Sequence, residues 1–156
     1  MKFIADNMLG KLAKYLRFLG YDTLYFSEDR GDEFIMEMAE KEGRIILTRD
    51  RELHNIAIKR GLRSILIEET DFKKQLKFLK EKLNLSSENM LSLCSICNYP
   101  LREIPKEYAV GKVPERVLEY ADEFYICDKC GRIYWYGSHT EKIEKTLMEL
   151  IGDENS

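Results

Sequence analysis

All four cysteines of the chain fall into two pairs, Cys94-Ser-Ile-Cys97 and Cys127-Asp-Lys-Cys130. Two thiolates two residues apart can grip one tetrahedral ion, because the turn between them points both sulfurs inward. Two such pairs complete a four-cysteine site, and zinc is the ion expected in it. A site with four protein ligands leaves no open position, so this zinc is expected to be structural and to contribute to folding directly. Gly131, just after the second pair, permits the positive φ that such a knuckle favours. The 29-residue insert between the pairs is longer than in compact fingers, so spacing alone names no subfamily. Disulfides are the first alternative, disfavoured in a cytoplasmic chain. A redox CxxC is the second, and it would not need another pair.

Catalysis must then come from elsewhere, and three aspartates offer it. Asp6 follows the first strand pattern, Asp32 opens the second helix pattern, and Asp50 follows the third strand pattern in Thr48-Arg49-Asp50. In a parallel sheet, residues just past the strand ends project into one crevice. Carboxylates gathered there repel one another unless a hard divalent cation such as Mg2+ or Mn2+ sits between them. A cation held this way can activate water for attack on a phosphodiester. Each aspartate also stands at a helix N-terminus, where Asp is a preferred cap, so both roles remain open. Asp29 and Glu33 are nearby spares, and Glu68 and Glu69 follow the fourth strand.

Cations surround this position in the sequence. Lys11, Lys14 and Arg17 recur every three residues on the first helix, and Arg49 and Arg51 flank Asp50. Such a stripe can hold a phosphate backbone, or it can be an ordinary solvated helix face. Tyr15, Phe18, Tyr134, Trp135 and Tyr136 can stack on unpaired bases, although packing is the favoured reading for most of them. His54 reads as a packing or surface residue, since no partner is spaced for it.

The elements that must position these groups alternate along the first half. Strand patterns at 2–5, 23–26, 44–47 and 64–67 are separated by helical spacing of apolar residues. Leu9, Leu12, Ala13, Leu16 and Leu19 mark the first helix, and Gly20, Gly43 and Gly61 close the first three. Strands separated by helices of this length imply right-handed crossovers and a parallel sheet. Residues 84–91, with Ser86 and Ser87, read as a linker. The segment 93–137 then holds every cysteine, all three prolines and the only tryptophan. A last amphipathic helix is expected at about 140–151.

Composition is that of a globular chain, 44% hydrophobic and 34% charged over 156 residues, with net charge −3. A nucleic-acid partner would therefore need a local basic face rather than bulk positive charge. No apolar run reaches bilayer length. The start, Met1-Lys2-Phe3-Ile4-Ala5-Asp6, reads as a strand rather than a secretory signal. No membrane association is expected, and the expected location is cytoplasmic.

The run 3–22, the segment Leu47-Thr48-Arg49-Asp50-Arg51-Glu52-Leu53, and the two CxxC pairs followed by Tyr134-Trp135-Tyr136-Gly137-Ser138-His139 together resemble the Mut-7 C-terminal RNase domain family. That resemblance covers nearly the whole chain. It implies a PIN-like α/β fold, a parallel sheet sandwiched by helices, followed by a four-cysteine zinc ribbon and a C-terminal helix. The corresponding domains are 1–85 for the nuclease unit and 92–151 for the ribbon with its helix. The activity it implies is a metal-dependent ribonuclease, with RNA as partner and Asp6, Asp32 and Asp50 at the family's acidic positions. Lys11, Arg17, Thr48 and Arg49 match positions lining the same pocket, and Thr48 is expected to hydrogen-bond a carboxylate behind the ligands. Only about four strand patterns precede the linker, which leaves a fourth acidic position and the role of His139 open.

Rival classes are less well supplied. A haloacid dehalogenase-type phosphatase needs an aspartate where Met8 stands, and a receiver domain needs paired acids before its first helix. A rubredoxin-like carrier would bind iron, and the long insert argues mildly against it. The serious rival is a noncatalytic RNA- or ribosome-binding zinc-ribbon module, in which the aspartates are caps. Oligomeric state is not fixed by the sequence.

Overall fold

A computed structural model describes residues 1–137. The expected C-terminal helix and His139 lie outside the described residues. The first half alternates as expected: β1 (Phe3–Ala5), α1 (Gly10–Phe18), β2 (Thr23–Tyr25), α2 (Asp32–Glu42), β3 (Ile45–Thr48), α3 (Arg51–Lys59), β4 (Ser64–Leu66) and α4 (Phe72–Leu83). The four strands form one parallel sheet in the order β2-β1-β3-β4.

Alternation along β1 and β3 decides which helices cover which face. Phe3, Ala5, Ile45 and Leu47 point to one side and meet Leu12, Leu16, Leu76 and Leu79 of α1 and α4. Ile4 and Ile46 point to the other side and meet Met36, Ala39, Leu53 and Ala57 of α2 and α3. Helices on both faces are what a fully buried parallel sheet requires. The chain leaves β1 for β2 on one side and later takes β3 on the other, so strand order reverses between β1 and β3. In open parallel sheets, ligand sites form at such a reversal, outside the carboxyl ends of the strands.

The second half is a three-stranded antiparallel sheet in the order β5-β6-β7, from β5 (Leu101–Ile104), β6 (Phe124–Cys127) and β7 (Ile133–Trp135). The long insert forms two short helices, α5 (Lys106–Ala109) and α6 (Glu115–Tyr120). Ala109, Val117 and Ala121, on or just after these helices, close a small core over Ile104 and Phe124.

Residues 84–91 are not a loose linker. Leu85, Met90 and Leu91 are buried in the core under α1 and α4, and Tyr125 and Tyr134 of the second sheet pack against the same cluster. Each buried aliphatic side chain contributes about 1.5–3 kcal/mol, so the segment fastens the halves rather than spacing them. Gly20, at φ 95°, is required here: a Cβ would collide with the carbonyl oxygen of Asn89. Ser86 and Ser87 suit a linker, but the apolar residues around them decide the packing.

Candidate functional site

The end of β3 is stitched to the end of β1 by one carboxylate. Asp6 is buried, and its Oδ2 accepts hydrogen bonds from the Thr48 hydroxyl and the Arg49 amide, each at 2.7 Å. Its Oδ1 accepts the Met8 amide at 2.8 Å. Ionised carboxylates offer about four acceptor sites, so Asp6 retains capacity for one further partner. The same Thr48 hydroxyl accepts the Asp50 amide at 2.9 Å. Thr48 thus sits between the two strand ends, fully buried.

The capping alternative separates the three aspartates. Asp50 is the N-cap of α3, its Oδ1 accepting from Glu52 and Leu53 at 2.9 and 3.3 Å. Asp6 caps nothing, because α1 begins after Leu9. Asp32 is the first residue of α2, whose N-cap is Gly31, and it makes no cap hydrogen bond. Three interchangeable caps are therefore not what the fold contains.

Asp32 is exposed at the first turn of α2. Burial pushes its carboxyl above the usual carboxylate range, and the charges of Asp50, Asp29, Glu52 and Asp6 push it further in the same direction. Glu52 escapes a spacing argument because it falls two residues past Asp50 on the same helix turn. Glu68, which follows the fourth strand, is engaged by Arg51 at 3.5 Å. The carboxylates are not gathered as tightly as the thiols. Among the described residues, only the four cysteines place three or more potential ligand atoms within 4.8 Å of one another.

The basic residues divide. Lys11 and Lys14 are exposed on α1, with the Lys11 ammonium 4.9 Å from the Phe72 ring centroid. Arg49 is half-buried beside Asp6. Arg17 does not join them. At 100° per residue, a three-residue spacing drifts by about 60° each step, so Arg17 is turned about 120° from Lys11. It is buried against the second half, donating to the carbonyls of Thr23, Ser95 and Ile96 at 2.8, 3.3 and 3.0 Å. Its expected place on a phosphate-binding stripe is corrected by this burial.

Two of those carbonyls belong to the first cysteine knuckle, which docks on the free edge of β2. Asn98 accepts the Thr23 amide at 3.0 Å and donates to Asp22 at 2.7 Å. Asn98 and Gly131 occupy the same place in their knuckles, at φ 59° and 80°. Nothing in the CxxC spacing announces this contact, since Asn98 looks like any turn residue.

The four thiols can hold one metal ion such as zinc. Cys94 and Cys130 Sγ lie 3.7 Å apart, close to the roughly 3.8 Å edge of a tetrahedron with 2.3 Å metal–sulfur bonds. Burial pushes the Cys94 thiol up, but the Tyr134 hydroxyl at 3.1 Å and the amides of Cys97 and Ile96 outweigh it and bring it down to about 7. Burial, the Cys130 thiol and the Cys94 charge push Cys97 up to about 12. Such a cluster ionises fully only around a cation.

A third feature lies beside Asp6. Phe26 and Phe34 meet edge-on at 5.3 Å, and the Arg30 guanidinium lies 4.5 and 5.5 Å from their centroids. No helix among the described residues is long and apolar enough to cross a membrane.

Comparison with known proteins adds two matches. A family model described as the Mut7-C RNAse domain matches residues 1–147. A human protein named exonuclease mut-7 homolog is 31% identical over 101 residues, covering 62% of this chain. The match covers only 12% of that relative's length. No solved structure matches the chain.

Proposed function

The chain belongs to the Mut7-C RNAse domain family, and on that premise we propose that its aspartate crevice hydrolyses RNA phosphodiester bonds with Mg2+ or Mn2+. The family and the human relative point to a nuclease-type, RNA-related role. The observation supporting the finer reading is the meeting of Asp6 and Asp50 at Thr48, whose hydroxyl donates to the Asp6 carboxylate and accepts the Asp50 amide. Carboxylate oxygens facing one end of the sheet are the donors that hard divalent cations prefer. Such a cation, when bound, supplies an activated water and neutralises the leaving oxygen.

The chain's own groups have distinct tasks. Asp6 is the fixed ligand, held by the Thr48 hydroxyl and the Arg49 and Met8 amides. Asp50 caps α3 through Oδ1, which leaves Oδ2 for ligation. Asp32, exposed at the start of α2, is the residue suited to orienting water. Lys11, Lys14 and Arg49 hold the phosphates on either side. Zinc on Cys94, Cys97, Cys127 and Cys130 is structural, and Arg17 ties its first knuckle to α1.

The spread of the carboxylates favours one rival, a noncatalytic RNA- or ribosome-binding module. Mn2+ titration followed by electron paramagnetic resonance separates the two. The nuclease reading expects one bound Mn2+ in the zinc-loaded protein, weakened at least tenfold by Asp50→Asn, which preserves the helix cap. Absence of any site sensitive to Asp50 or Asp32 would favour the module.

A further inference from the structure

We propose that the depression beside Asp6 is a nucleobase subsite, in which an unpaired base stacks on the guanidinium of Arg30. The inference rests on the ribonuclease reading of the crevice and adds a substrate class to it, single-stranded RNA. Ala5 and Asn7, the neighbours of Asp6, line the depression together with Phe26, Arg30 and Phe34. A base held there would belong to a nucleotide adjoining the bond under attack.

The platform is built before any ligand arrives. The Arg30 guanidinium carbon lies 4.5 Å from the Phe26 ring centroid and 5.5 Å from that of Phe34. The loop carrying it is turned by Asp29, whose Oδ1 accepts the Gly31 amide at 2.8 Å. Gly31 adopts φ 87° and leads directly into Asp32. Among the described residues no carboxylate forms an ion pair with Arg30, although Glu28 and Asp29 line the same depression. One face of the guanidinium therefore rests on aromatic rings while Arg30 as a whole is exposed.

Charge favours a base over a phosphate here. The cavity measures about 20 Å³, which is room for a water molecule. A base cannot sink into it and must lie across its mouth, against the guanidinium. Glu28 and Asp29 repel a phosphate there, whereas their oxygens can accept from base N–H groups. Arginine planes and aromatic rings are the surfaces on which unpaired bases stack. Paired bases in a duplex have both faces covered and cannot offer one.

Fluorescence anisotropy tests this with a labelled ten-nucleotide single-stranded RNA and a blunt RNA duplex, in buffer without added divalent ions and with zinc-loaded protein. Arg30→Ala and Arg30→Lys, each checked for native circular dichroism, are compared with the wild type. Because lysine keeps the charge and loses the plane, both variants are expected to bind the single strand about fivefold more weakly or worse. Duplex binding should stay unchanged in Arg30→Lys, which keeps the charge. Wild-type affinity in Arg30→Lys, unchanged affinity in both variants, or no wild-type preference for the single strand would each overturn the proposal. Weakened binding without Mn2+-dependent cleavage by the wild type would sink the ribonuclease reading alone. Cleavage with unaltered binding in the Arg30 variants would sink the base subsite alone.

Discussion

Replacing Thr48 with valine removes one hydroxyl and almost no volume, at a position with no exposed surface. That hydroxyl donates to Asp6 at 2.7 Å and accepts the Asp50 amide at 2.9 Å. A hydrogen bond to a charged group contributes about 1.5–3 kcal/mol, and a buried amide left alone costs about 1–3 kcal/mol. The two terms share one atom and do not add fully, so a loss of about 3 kcal/mol is expected. For a chain of this length each kcal/mol moves Tm by roughly 2–4 °C, giving a fall of about 6–12 °C. Thr48→Ser retains the hydroxyl and loses one methyl, which costs about 1 kcal/mol. Thermal melts of the zinc-loaded variants, followed by circular dichroism, compare them directly. The polar account requires valine to be worse than serine; a packing account requires the reverse. Serine melting at or below valine would refute the bridging role of this hydroxyl.

Further predictions concern the knuckle, the metal and the acids. Arg17→Leu leaves the carbonyls of Thr23, Ser95 and Ile96 without their donor. Amide exchange in residues 94–98 should then quicken on the order of tenfold, about 1.4 kcal/mol, and an unchanged rate would contradict the clamp. Zinc chelation should unfold the second sheet and also lower the Tm of the first, because Tyr125 and Tyr134 pack on its core. Asp32 is pushed up by burial and then by Asp50, Asp29, Glu52 and Asp6, so the folded state binds its proton more tightly than the unfolded state. The stabilisation from that proton is full below the unfolded carboxyl value and is lost as pH rises through the folded one. Asp32→Asn should therefore raise Tm at neutral pH and lose this advantage in acid; a pH-independent effect would remove the crowding argument.

Much of this architecture is legible in the sequence because its signals are local. Apolar runs of strand length, helical spacing closed by glycine, and paired cysteines each report on a few neighbouring residues. The Lys11, Lys14 and Arg17 repeat misleads because three-residue steps drift around a helix, and the drift carries Arg17 to the β2 side. Asn98 and the buried Leu85, Met90 and Leu91 depend on contacts from distant parts of the chain. The same holds for Arg30, whose stacking on Phe26 and Phe34 follows from loop shape rather than spacing. All three aspartates look like helix caps from their neighbours in sequence, and only the fold separates Asp50, which caps α3, from Asp6 and Asp32, which cap nothing.

The most direct test of the central claim is cleavage of single-stranded RNA by zinc-loaded protein, with and without Mn2+. The ribonuclease account predicts cleavage that requires Mn2+ and falls at least a hundredfold in Asp50→Asn and Asp32→Asn, on the order expected when a catalytic group is lost. Folded, zinc-loaded protein that binds RNA yet leaves it intact under both conditions would contradict that account.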